Sequence, residues 1–385
     1  MDIDPTAKTE VRWLIKDPLL RTAKDPGFSV SGAVKVLAGL MNGSRSCATI
    51  ARLATVRLGR RVQASQVEEL ADAFRRLGFL ETAEYQAAYR DLVNGIEQAG
   101  ALDHSWLELD LQRLPLPRSS LAYRPGRRLK AVLVPHVSET DSLAMSAQGV
   151  GVLRQSGDFD TIVVVGPNHV TPGFRGAVLA TKGFATPSGV VAVDADRAEC
   201  LVRSAPQWFC INNLVHQHEH CIALQVPFIR RCFGADIRVL PVLVSNPNVR
   251  EWPGMVRELA NRLKSVLADT RTCFLITGDL YHHYPQQLEI WERNWGWLRG
   301  VARAVRDGHA DGVARVDREL LSLLESGRFS RAAARAHVRG DCFPLPLLVG
   351  REVVDATASA ALDYRQLGIF TSEGTGVTVS LLAME

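Results

Sequence analysis

Nothing in this sequence approaches the roughly 20 consecutive apolar residues of a membrane span, so no membrane partner is expected. The first residues, MDIDPTAKTEV, lack the charged-then-apolar layout of a secretory signal, which points to a cytoplasmic protein. An excess of one charge is also missing. The 45 Lys and Arg are nearly matched by 41 Asp and Glu, and the net +4 is scattered along 385 residues, so no nucleic-acid partner is expected either. Cysteine is sparse and unpatterned. Seven residues (Cys47, Cys200, Cys210, Cys221, Cys232, Cys273, Cys342) with no CxxC pair exclude a disulfide scaffold or a zinc finger and fit reduced thiols. There are no internal repeats and no low-complexity tract. What remains is ordinary globular material, 46% hydrophobic and 22% charged, enough for one large core and one smaller domain.

Residues from about 28 to 110 read as helices. Ser46 is placed to cap the segment CATIARLATVRLG, and Ser65, with Glu68 three positions on, has the layout of a capping box. Three short helices ending in LGFLET resemble a winged-helix module. Both charge signs mix on its candidate recognition helix, which favours docking or packing over DNA binding. The stretch from 112 to 130 concentrates Pro, Ser and Arg without periodicity. The expected organisation is therefore a module over 1–111, a linker over 112–128 and a second domain over 129–385.

In that second domain, LKAVLVP, DTIVVVGP, IRVLPVLVS and TCFLITGD are short, β-branched and nearly unbroken, as strands covered on both faces are. Helical segments such as MVRELANRLKSVLAD separate them. The fold class expected is α/β, with a mostly parallel central sheet covered by helices. In such sheets ligands bind beyond the carboxyl ends of the strands. Three of the four runs end there in VPHVSE, VGPNHV and TGDLYHHY, which bring His136, His169, Asp279, His282 and His283 to one edge. A further run, HQHEHC, carries His216, His218, Glu219 and His220. Seven of the ten histidines lie in these four places. Converging imidazoles and carboxylates suit a catalytic divalent metal, metal-free acid-base machinery, or a set of satisfied structural histidines. Gathering them has a use more often than not, since buried polar groups are costly. His216 and His218 are weaker candidates, because alternating histidines on a loop bind stray metal.

The ordered set VPHVSE, VVVGPNHV, EHCIALQVPF, VLPVLVS and ITGDLYHHYP resembles the Memo family, which is similar to the class III extradiol dioxygenases, non-haem iron enzymes that open catechol rings. The helical module resembles the PqqD-type winged helix that precedes the Memo domain in AmmeMemoRadiSam system B proteins. The resemblance implies His136 and His169 as metal ligands. It implies Asp279 and His282 as acid-base or supporting groups and His220 as a substrate-facing proton donor. The implied cofactor is a divalent metal, Fe(II) first, with zinc or copper as alternatives. A small-molecule substrate is implied, with a peptide or partner enzyme at the N-terminal module.

The sequence also departs from the family pattern. Ala223 stands where a Glu is usual, and Gly278 where a Ser precedes the Asp. The C-terminal Cys-Gly pair is replaced by GDCFPLP, in which alignment on Pro344 puts Gly340 at the cysteine position. Either Asp341 or Cys342 would supply the third metal group by a small shift; with Asp341, two histidines and one carboxylate suit Fe(II). Glu139 and Asp141 add acid to the pocket mouth or are solvated loop residues. Trp291 and Trp295 in IWERNWGW, at helical spacing, suit a packing role, a pocket wall or a homodimer interface. The leading expectation is an oxidoreductase of extradiol-dioxygenase type. The alternatives are metal-assisted hydrolysis or lyase chemistry, and a non-catalytic metal, redox or peptide-docking adaptor.

Overall fold

The computed structural model describes residues 12–15, 28–76, 79–80, 82–107, 129, 131–138, 140–171, 173–246, 248–267, 271–283, 311–339, 341–356, 359–368 and 376–384. The expected linker at 112–128, Glu139, Gly340 and the IWERNWGW run lie outside them. Two compact units are present, Met1–Gly95 and Ile96–Glu385.

The first unit opens with an antiparallel pair, β1 (Arg12–Ile15) and β2 (Phe28–Ser31). Helices α1 (Gly32–Ala38), α2 (Cys47–Leu58) and α3 (Ala64–Arg76) follow, then α4 (Ala83–Gln98). The described strands precede the helices, and after α3 the chain continues as another helix. A small core of Leu37, Leu40, Ile50, Ala51, Ala54 and Val67 joins the first three helices. Ser46 caps α2, accepting from the Thr49 N–H at 3.3 Å. Ser65 is not a cap. Helix α3 starts one residue before it, and Gln66 reaches back to the Gln63 N–H at 3.0 Å, which is half of a capping box set two residues earlier than the sequence suggests.

The second unit is a mixed α/β structure. Its elements run β3 (Ala131–Val134), α5 (Thr140–Ser156), β4 (Thr161–Pro167), β5 (Gly176–Leu179), β6 (Phe184–Thr186), β7 (Gly189–Val193), α6 (Ala195–Ser204) and β8 (Phe209–Ile211). Then come α7 (Asn213–His218), α8 (His220–Ala223), α9 (Val226–Phe233), β9 (Arg238–Ser245), α10 (Trp252–Leu267), β10 (Thr272–Thr277) and β11 (Tyr281–His283). After the undescribed 284–310 follow α11 (Asp311–Glu325), α12 (Phe329–Arg339), α13 (Pro344–Val354), β12 (Ser359–Gly368) and β13 (Gly376–Met384). Residues 97–107, which the sequence places with the N-terminal module, bond to this unit: Leu102 N–H donates to Gly183 O at 2.7 Å, and Asn213 Nδ2 donates to Glu97 Oε1 at 2.8 Å.

The four apolar runs become the centre of the sheet, in the order β3-β10-β4-β9, all parallel. Every residue of β3 and β4 is buried, which explains why these strands carry no polar alternation. The flanks are mixed, with β8 parallel to β5 and β7 parallel to β9 but antiparallel pairs beside the centre. β13 pairs with β3 and carries β11 and β12, while β5 runs against β9. Helices cover both faces. Ile276 pairs with Leu133 and shares its face, so Val132 and Val134 point the other way. On the Ile276 side α10 and α13 join a core with Leu133, Leu259, Leu263, Leu347 and Val349. On the other side α5 lies so close that a Cβ on Gly149 would collide with Val134 Cγ1 and sit 2.9 Å from Leu381 Cδ1. Helix α5 occupies the segment read from sequence as a pocket mouth, and Asp141 stands exposed in its first turn, where a carboxylate complements the helix dipole.

Candidate metal centre

The parallel strands deliver their polar ends to one place. His136 follows β3, His169 follows β4, and Asp279 follows β10, whose neighbours in the sheet are β3 and β4. The imidazole rings of His136, His169 and His220 form a triangle with centroids 5.0–5.3 Å apart. Cys342, in the turn before α13, places its Sγ 3.5 Å from His136 Nε2. One donor atom each from His136, His169 and Cys342 lies within 4.8 Å of the others.

Two buried carboxylates organise these groups. Glu219 is 1% exposed and caps α8 through the Cys221 N–H at 3.2 Å. Its Oε2 accepts the His169 backbone N–H at 2.7 Å, and its Oε1 accepts His169 Nδ1–H at 3.0 Å. His220 Nδ1 is 3.2 Å from the same oxygen. Holding Nδ1 this way leaves Nε2 as the ligand atom, the usual arrangement around a metal-binding histidine. Burial alone would lower His169 and raise Glu219. Their mutual attraction outweighs it, so His169 moves up and Glu219 well down.

Asp279, fully buried, anchors the groups on the other side. Its Oδ1 accepts the His136 backbone N–H at 3.0 Å, and its Oδ2 lies 3.1 Å from His282 Nε2 and 3.3 Å from His136 Nε2. Burial raises its pKa, but His136 and His282 overcome that and hold it at about 2. His136 goes the other way: burial drives it down to about 3 despite the Asp279 charge, so it is a neutral imidazole at ordinary pH, as a ligand must be. Thr277 Oγ1 sits 3.2 Å from His136 Nδ1. Gln225 Nε2 donates to Pro135 O at 2.9 Å and to Thr277 Oγ1 at 3.4 Å, bracing the same turn.

The approach of Cys342 depends on a missing side chain. A Cβ on Gly278 would collide with Phe343 Cβ and lie 2.6 Å from its Cα. Without it the 342–343 turn closes in, and the Asp279 N–H donates to Cys342 Sγ at 3.2 Å. Burial, and then the Asp279 charge, push the Cys342 thiol well up. A cation on Sγ would reverse that and deprotonate it.

The sequence candidates therefore separate. His136, His169, His220, Asp279, His282 and Cys342 come together. Asp341, though buried, belongs to none of the potential ligand groups among the described residues, whereas Cys342 does. His216 turns its Nε2 to Val178 O at 3.1 Å and is buried in the fold. Thr277, Gln225 and Gly278 are anchors that the sequence did not single out, and Glu219, named there only within the HQHEHC run, also caps a short helix.

Two imidazoles and a thiol fit a divalent metal of the zinc, iron or copper kind, and the donor set does not suit magnesium or calcium. Residues 108–339 match the model of Memo-like proteins. The chain belongs to the Memo-like family. MEMO1 family proteins of Methanopyrus kandleri (29% identical over 160 residues, 41% of this chain and 54% of that one) and Sulfolobus acidocaldarius (26% over 187 residues, 48% and 64%) are similar to it. The one from Pyrococcus abyssi is 29% identical over 205 residues, covering 51% and 70%. The chain thus spans between about half and two thirds of the length of the first two relatives. An uncharacterized protein of Escherichia coli K12 has a solved structure that is 13% identical, covers 66% of this chain and 99% of its own, and superposes with a TM-score of 0.37, too loosely to bear on the fold. The Memo-like match contains His136, His169, Glu219, His220, Asp279 and His282 but ends before Cys342, whose place in the cluster comes from geometry alone.

Proposed function

We propose that this Memo-like chain is a metal-dependent oxidoreductase of extradiol-dioxygenase type, with Fe(II) as its metal and a small aromatic diol or aminophenol as substrate. The observation that supports this reading is the convergence of His136, His169 and Cys342 beside additional titratable imidazoles. When bound, the metal supplies a Lewis acid and an electron relay between oxygen and an aromatic ring. The chain's own residues do the rest. His136 is sealed from water, whereas His169, His220 and His282 are 36%, 37% and 25% exposed, so a substrate approaches from their side. His220, with Nδ1 tied to Glu219, faces a substrate hydroxyl through its remaining nitrogen and takes its proton. Asp279 holds His282 Nε2 and stabilises the imidazolium when His282 receives one.

The sulfur donor favours a second reading. Thiolate with two imidazoles also suits copper or zinc, and so a redox carrier or metal-assisted hydrolysis. One experiment separates these: anaerobic Fe(II) loading followed by oxygen uptake with catechol and 2-aminophenol. Uptake that His169→Ala abolishes is the expected result. A chain that holds metal yet consumes no oxygen above background with either substrate contradicts the dioxygenase reading. For the N-terminal unit we carry forward the docking of a peptide or partner enzyme, supported by its resemblance to PqqD-type modules; loss of a recovered partner on deleting residues 1–95 is the check.

A further inference from the structure

We propose a second ligand site in the Memo-like unit, an anion site for a small organic phosphate, in the cavity between α10, α12 and α13. The cavity encloses about 650 Å³, within the range of small-molecule sites, and no residue of the metal centre lines it. Its charge is one-sided. Arg257 comes from α10, Arg328 and Arg331 from the start of α12, and Arg351 from α13, against the single acid Glu352. That acid is already engaged, 2.6 Å from Arg351 Nη1. Among the described residues Arg257, Arg328 and Arg331 have no carboxylate partner, and all three border the same cavity as exposed residues.

Gathering like charges in a crevice is unfavourable unless a counter-charge enters, and the acid just before α10, Glu251, is itself paired, 3.4 Å from Arg175 Nη2. Neither α10 nor α12 has an acid in its first turn, and Arg328 occupies the position before α12 where Ser, Thr or Asp usually caps. Ser330 adds a hydroxyl donor at the rim. Arg351 is held in advance: its Nε donates to Ala356 O at 2.9 Å, and its guanidinium lies 5.6 Å over the Phe329 ring. With Nε on Ala356 O and Nη1 on Glu352, Arg351 is a fixed wall of the cavity, and Arg257, Arg328 and Arg331 are the guanidiniums left to meet a phosphoryl group. The floor is apolar, made by Val256, Leu348 and the Trp252 ring, which is pinned by its Nε1–H to Asn246 O at 3.0 Å. Guanidiniums above an apolar floor select an anion with a hydrophobic body over a bare ion.

The test is calorimetric titration of the full chain with phenyl phosphate, inorganic phosphate, pyrophosphate and sulfate at fixed ionic strength. Arg328→Ala/Arg331→Ala is run beside the wild type, with Arg203→Ala as a surface control and His169→Ala to report on the metal centre. The expected result is phenyl phosphate binding about tenfold tighter than inorganic phosphate, weakened at least about tenfold in the double variant and unchanged in the two controls. Equal affinity for sulfate and all phosphates, or binding indifferent to the double variant, overturns the site. Loss in His169→Ala overturns it by moving the phosphate to the metal centre. Binding of polyglutamate as tight as that of phenyl phosphate overturns it in favour of an acidic protein partner.

Discussion

The two buried carboxylates of the candidate metal centre hold their histidines differently. Glu219 takes Nδ1 of both His169 and His220 and leaves both Nε2 atoms turned outward, on rings that are half-buried. Asp279, itself sealed from solvent, instead lies beside the Nε2 atoms of both His136 and His282, next to the thiol of Cys342. The Glu219 side is thus built for orientation, and the Asp279 side for charge: its carboxylate stands next to the atoms that would carry a cation or a proton. The first side joins Glu219 and its neighbour His220 to His169, 50 positions away. The second is assembled across 206 positions, from His136 to Cys342.

Breaking the orientation side should have the largest effect. Glu219→Ala removes a helix cap and the partner of two imidazoles at once; a loss of about 3–5 kcal/mol in unfolding free energy and of metal binding is expected. Denaturant titration and metal analysis check it, and a variant that keeps its metal would make Glu219 dispensable. Outside the cluster, His216 is an acid-sensitive element. Burial lowers His216 to about 4, while in the unfolded chain it titrates near 6.5, so between these values the unfolded state binds the extra proton. Stability present above about pH 6.5 is lost as pH falls toward 4, by about 3 kcal/mol over the window. Melting curves from pH 7 to 4.5 should show a shallower decline in His216→Gln; parallel declines would show that His216 does not set the slope.

On the charge side the expected effects are smaller. Gly278→Ala forces Phe343 and Cys342 away, at about 1–3 kcal/mol, and should lower metal affinity more than its stability loss explains. Metal titration of the folded variant checks this. Asp279→Asn should cost about 1 kcal/mol, because an amide oxygen still accepts the His136 N–H. It should also speed alkylation of Cys342 in metal-free protein. Burial still raises that thiol, but the carboxylate that raises it further is gone. Unchanged alkylation would show that the Asp279 charge does not reach the sulfur.

Much of this was legible in the sequence for a simple reason. β3, β4, β9 and β10 are buried along nearly their whole length, so their sequences are unbroken β-branched runs, and each hands its last polar residues to the same edge. His136, His169 and Asp279 follow from that rule. Helix α5 was hidden because Leu143, Met145, Val150 and Val152 are buried almost all round it, which erases amphipathic periodicity. The antiparallel flanks β5, β12 and β13 carry no comparable run. The sequence left the third group open between Asp341 and Cys342. Alignment on Pro344 pointed to Gly340, and only the absence of a side chain at Gly278, some 60 residues away, lets Cys342 close on His136 while Asp341 stays out of the cluster.

The most direct test of the account is X-ray absorption at the metal edge of the loaded protein, read beside Cys342→Ser and Asp341→Asn. The account predicts one sulfur scatterer at about 2.3 Å with two imidazoles, lost in Cys342→Ser and retained in Asp341→Asn. A shell of nitrogen and oxygen alone, or a sulfur signal indifferent to Cys342, would contradict it.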